Sequence, residues 1–182
     1  MQFQSIKKRV MLALVVAAFF SCANGPTLQT YYVDNELKPD FTTFDVPTSF
    51  INLENVELTE QQERAYKSLD KLNVLAFKVD DNNLEEYKTE LEAVKGILKN
   101  TKYEELMRGG NATDGKFVVK FLGDVDSIDE LIILGNANDK GFAVIRVLGD
   151  DMNANDIISL RTVLDKANFE NTDLNGLTDF FK

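Results

Sequence analysis

Between residues 84 and 98 the apolar side chains fall three and four apart, at Leu84, Tyr87, Leu91, Val94 and Leu98. That spacing places them on one face of a helix. A helix with a single apolar stripe must bury it against another element. The segments around it are strand-like. Val74 to Val79 is apolar on both faces, as in a buried strand. Tyr103 to Arg108 predicts another strand, Phe117 to Leu122 an alternating one, and Glu130 to Leu134 and Phe142 to Leu148 two more. Gly109-Gly110-Asn111, Asp114-Gly115, the acidic stretch Gly123 to Asp129 and the polar stretch Asn136 to Gly141 supply turn chemistry between them. Strands joined by short loops predict an antiparallel meander.

Two further helices are predicted. Thr59 and Gln62 make a capping box, followed by Ala65, Leu69 and Leu72 at helical spacing, with Asn73 as the stop. Gly149 to Asn155 is rich in capping residues, and Ile157, Leu160, Leu164 and Ala167 then share one helical face. Pro47 argues that Phe44 to Phe50 is not a central strand. Tyr31, Tyr32 and Val33 read as a short edge strand or a segment packed on the domain. The expected fold is α+β: one mixed, mostly antiparallel sheet with helices packed on one face. The helix at 84–99 is long enough for a right-handed crossover, which makes its two flanking strands candidates for parallel neighbours.

The N-terminus reads as an export signal. Lys7, Lys8 and Arg9 precede an apolar run, Val10 to Phe20, that is too short to span a bilayer. Ser21 and then Cys22, the one cysteine, follow directly. This resembles a bacterial lipobox, in which the cysteine is lipidated and becomes the mature N-terminus; Phe19 stands where leucine is usual. A lone thiol cannot close an internal disulfide. The expected organisation is a signal at 1–21, a lipidated Cys22 and tether at 22–45, one α+β domain at 46–168 and a tail at 169–182. No aspartate or acidic cluster follows Cys22. That points to the periplasmic face of an outer membrane, with the bilayer as a partner through the anchor.

Charge and composition exclude several chemistries. There are 20 Lys and Arg against 30 Asp and Glu. Removal of residues 1–21 takes three basic residues and no acidic ones, so net charge moves from −10 to −13. Such a surface repels nucleic acid and anionic headgroups. The chain has no histidine, which rules out Ser-His-Asp and Cys-His catalysis and His-ligated zinc. Gly109-Gly110 lacks the lysine and helix of a phosphate loop. Asp124, Asp126, Asp129 and Glu130 crowd one turn, which reads as a solvated loop rather than a glycosidase pair, since the chain has no Trp for sugar stacking. Asp151, Asn153 and Asn155 begin like a calcium loop, but Asp156 and Thr162 stand where glycine and glutamate are needed. A helix cap at Asn153 or Asn155 is the expected role. Asp126-Ser127-Ile128 resembles a bacterial O-glycosylation motif, making Ser127 a candidate acceptor. No cofactor and no metal is expected.

Several blocks together resemble the DUF4252 family of Bacteroidota lipoproteins. They are Asp45 to Phe50, Ser68 to Phe77, Tyr103 to Arg108, Asp129 to Ile133 and Phe142 to Asp150, in that order over roughly residues 45 to 165. The resemblance implies a small, signal-bearing envelope protein of unknown function and brings no active site with it. The block Tyr103 to Arg108 is either a binding patch or structural, with Leu106 packing and Arg108 paired to Glu104 across strands; the structural role is the expected one. The leading expectation is a non-enzymatic envelope lipoprotein that binds a partner protein or serves envelope sensing and homeostasis. The alternative is a small-ligand or cation-binding periplasmic module that uses the acidic turns or a groove between sheet and helices.

Overall fold

The computed structural model describes residues 25–50, 53, 56–111, 115–137, 140–160 and 163. Cys22, the expected signal at 1–21 and the tail at 169–182 lie outside them. Helix α1 spans Leu28–Asn35, β1 Phe41–Pro47, α2 Glu60–Lys67, β2 Leu69–Lys78 and α3 Leu84–Leu98. Then come β3 Glu104–Asn111, β4 Gly115–Asp124, β5 Ser127–Ala137, β6 Gly141–Met152 and α4 Ala154–Ser159. The six strands form one open sheet in the order β1-β2-β6-β5-β4-β3. Among the described residues no helix is long and apolar enough to cross a membrane.

The α+β class is as expected, with two corrections: the helices lie on both faces of the sheet, α1 and α3 on one and α2 and α4 on the other, rather than on one face, and the pairing differs. Every neighbouring pair of strands is antiparallel. β2 and β3, joined by α3, point the same way but are not neighbours, because β6, β5 and β4 lie between them. The meander β3 to β6 folds back and inserts its last strand beside β2. Helix α3 therefore crosses most of the sheet to reach the far edge.

The strand alternation divides the core. Leu75 and Phe77 of β2, Ile132 and Leu134 of β5, and Phe142 and Val144 of β6 face α1 and α3. Phe77 and Phe142 stack at 5.7 Å under Tyr87, and Phe41 meets Phe77 edge-on at 5.1 Å. Val119, Phe121, Leu131 and Val147 point to the other face, where Ala154 and Ile157 of the α4 segment pack. Ala65 of α2 joins Leu160 and Val163 beside them.

Three local readings change. The segment expected to be a tether is folded from Thr27 onward: Thr27 and Thr30 form a reciprocal capping box, and Tyr31 and Tyr32 of the following helix are buried. The expected helix through Leu72 stops at Lys67, with Leu69 and Leu72 in β2. A register shift between Leu69 and Lys71 puts both leucines on the same side, which helical spacing had mimicked. Gly109, Gly110 and Asn111, expected as a turn, are the end of β3. Pro47 closes the edge strand β1, as its missing N–H requires.

Candidate functional site

Helix α3 rests its stripe on the central strands, with Val94, Ile97 and Leu98 buried. Beyond it, toward the β3 edge, β4 turns Lys116, Val118 and Lys120 to the helix-facing side. On that side β3 presents Glu105 and Arg108, and its glycines add no bulk. The result is a groove of about 980 Å³ between α3 and strands β3, β4 and β5. That size suits a small organic ligand.

The floor is apolar: Leu91 and Leu98 from α3, Val118 from β4 and Leu134 from β5. Val118 and Leu134 are directly paired across the strands, so their side chains share the helix-facing side. The walls are basic. Lys88, Lys95 and Lys99 come from α3 and its C-terminus, and Arg108, Lys116 and Lys120 come from the sheet. Only Glu92 and Glu105 oppose these six among the lining residues, in a chain whose net charge is −10.

Some of the cations are engaged. Arg108 forks onto Glu105, with Nε 2.5 Å from Oε1 and a second guanidinium nitrogen on Oε2. That hydrogen bond holds the Glu105 carboxyl below its usual range and raises Arg108 further. Lys95 donates to Glu92 at 2.9 Å and lowers it likewise. Lys120 donates to the Tyr103 carbonyl at 2.9 Å and stands directly across from Glu105, whose carboxyl its charge also helps to lower. Tyr87 borders the groove, is 6% exposed, and its hydroxyl is buried without a hydrogen-bond partner. A buried, unsatisfied donor costs about 1–3 kcal/mol.

The block Tyr103 to Arg108 divides its roles. Leu106 packs into the cluster on the opposite face, as expected. Arg108 pairs with Glu105 rather than with Glu104, and both members of that pair line the groove. Glu104 sits opposite Phe121 and so points to the other side of the sheet.

The other sequence candidates do not converge. Asn153 caps α4, accepting from the N–H of Asn155 at 2.9 Å and of Asp156 at 3.4 Å, which is the expected cap. Its amide also donates to Asp126 at 3.0 Å. The acidic group splits, because Glu130 is buried against Arg146 while Asp124, Asp126 and Asp129 stay at the surface. Among the described residues no group of three or more carboxylate, histidine or cysteine side chains is placed to hold a metal ion. Ser127 opens β5 next to the turn, half-buried, with its hydroxyl 2.8 Å from Asp151. Cys22 lies outside the described residues.

A family described as a domain of unknown function, DUF4252, matches residues 32–160. No curated protein and no solved structure matches the chain.

Proposed function

The chain belongs to the DUF4252 family, and from that premise we propose that it is an envelope-anchored, non-enzymatic binding protein whose α3 groove takes a small, partly apolar anion. One observation carries this reading: an acidic protein gathers six cationic side chains around an apolar floor. An apolar floor rewards a hydrocarbon or ring. Clustered cations in a concave site focus the field on a negative group. The same charges oppose cation binding there, so the sequence-based alternative narrows to an anion.

Thermal unfolding of the 182-residue chain carrying Cys22→Ser tests it. Decanoate should raise the midpoint, whereas decanol and decyltrimethylammonium should not, because only a ligand favouring the folded state stabilises it. Equal shifts with all three, or no shift with any, would sink the reading.

The anchor is part of the proposal. Cells fed a palmitate analogue should label the wild-type chain and not the Cys22→Ser variant. A protein partner is the second reading. It rests on Met107 and Phe117, both exposed on the neighbouring strands β3 and β4, with Phe117 at the rim of the groove. Recovery of one specific envelope protein by wild type but not by Met107→Lys/Phe117→Lys would favour it. Glycosylation at Ser127 is checked by intact mass before and after Ser127→Ala.

A further inference from the structure

We infer that the groove draws its ligand from the bilayer: an anionic lipid whose headgroup sits at the Tyr103 end, among Lys99, Lys102 and Lys120. This rests on the groove reading above and on the anchor at Cys22. The carrying observation is where the chain enters the fold. The Leu28 N–H donates to the Tyr103 hydroxyl at 3.4 Å, so the first turn of α1 stands on the residue that joins α3 to β3. Six residue steps separate Cys22 from Leu28, a reach of at most about 22 Å. An anchor at Cys22 therefore holds the Tyr103 end of the groove close to the membrane.

That end also gathers three lysines, with Glu105 across from Lys120 and Glu92 near enough to Lys99 to be lowered by it. Lys120 is bonded to the Tyr103 carbonyl, and Lys102 lies 4.9 Å from the centre of the Tyr103 ring. Lys99 caps the C-terminus of α3. Among the described residues none of the three is in an ion pair. At the opposite end Lys88 is paired to Glu85, and Glu86 adds another negative charge. The terminal carbonyls of α3 oppose an anion beside Lys99, but that effect is weak and screened. From the cationic end the floor of Leu98, Leu91 and Leu134 leads away as a track for the acyl chain.

The test uses the lipid-anchored chain as cells produce it, reconstituted into vesicles of phosphatidylethanolamine with about a quarter phosphatidylglycerol and released for native mass spectrometry, with palmitate added to the same chain in detergent as the second arm. The expected result is one phosphatidylglycerol acquired per chain. Lys99→Glu/Lys102→Glu should weaken this about tenfold or more, and Lys88→Glu/Lys116→Glu, an equal change of charge, less than about threefold. Equal losses in the two variants overturn the headgroup assignment. Palmitate binding without any lipid taken from vesicles overturns the bilayer source and leaves the groove reading standing. Binding of neither overturns both.

Discussion

Arg146 of β6 and Glu130 of β5 form a buried ion pair, Nε to Oε1 at 2.5 Å, and Gln29 of α1 accepts from the same guanidinium at 2.7 Å. Arg146 is 5% and Glu130 8% exposed. The pair joins two central strands to the N-terminal helix. Its net worth against an apolar replacement is small, because both charges are desolvated. Leaving one member alone is costly. Glu130→Leu should therefore lose about 3–5 kcal/mol, and Glu130→Leu/Arg146→Met should recover much of it. Urea unfolding measures both; a double variant no better than the single one would show that the charges are not coupled.

The Tyr87 hydroxyl has no partner in its buried position. Tyr87→Phe should leave the ligand-free protein as stable or raise it by about 1 kcal/mol, because the unsatisfied group disappears. A clear loss of stability in the free protein would mean that the hydroxyl is satisfied after all.

Asn153 holds α4 by its side-chain oxygen and the β4–β5 turn by its amide, through Asp126. Asn153→Ala removes both and should cost about 1–2 kcal/mol. Asn153→Asp keeps the cap but faces Asp126 with a like charge, and should fall between. Midpoints of thermal unfolding rank the three.

Gly141 starts β6 at φ 122, and a Cβ there would lie 1.9 Å from the Phe77 carbonyl oxygen. Both the backbone conformation and the space exclude a side chain. Gly141→Ala should cost about 3 kcal/mol or more, seen in urea unfolding. Gly96, in α3 with open space around it, is the matched control. There alanine should stabilise by about 1 kcal/mol.

Tyr31 donates to Glu90 at 2.7 Å and Tyr32 to Asp45 at 2.9 Å. Burial first, and then these carboxylates, push both phenols far above their ordinary range. The folded chain keeps the two protons, while the unfolded chain releases them above about pH 10. Their contribution is complete below that pH and is lost as pH rises further. Stability measured by urea midpoint should drop above about pH 10, and less steeply in Tyr31→Phe/Tyr32→Phe. An identical slope in both proteins would remove these tyrosines as the cause.

Much of the architecture was legible because its signals are local. The stripe of Tyr87, Leu91, Val94 and Leu98, the capping box of Thr59 with Gln62 and the cap at Asn153 each lie within a few turns of chain. Helix α1 was not legible. Its eight residues carry adjacent tyrosines and a threonine in the capping-box position where Glu or Gln is usual. It is held by distant partners, Glu90, Asp45 and Tyr103, which no local pattern displays. Leu69 and Leu72 misled for a related reason: a bulged strand and a helix can both place residues three apart on one side.

The sequence by itself determined the α+β class, the long central helix, the meander, the absence of histidine chemistry and the acidity of the chain. Those follow from periodicity and composition, which act over short range or not at all through space. Only the tertiary structure decided that β6 lies beside β2, sending β3 to the far edge, across the groove from α3. That arrangement brings Lys88, Lys95 and Lys99 opposite Arg108, Lys116 and Lys120. In the sequence these cations are scattered among carboxylates and cancel. In the fold they face one another, because strand order rather than chain order sets which charges share a groove.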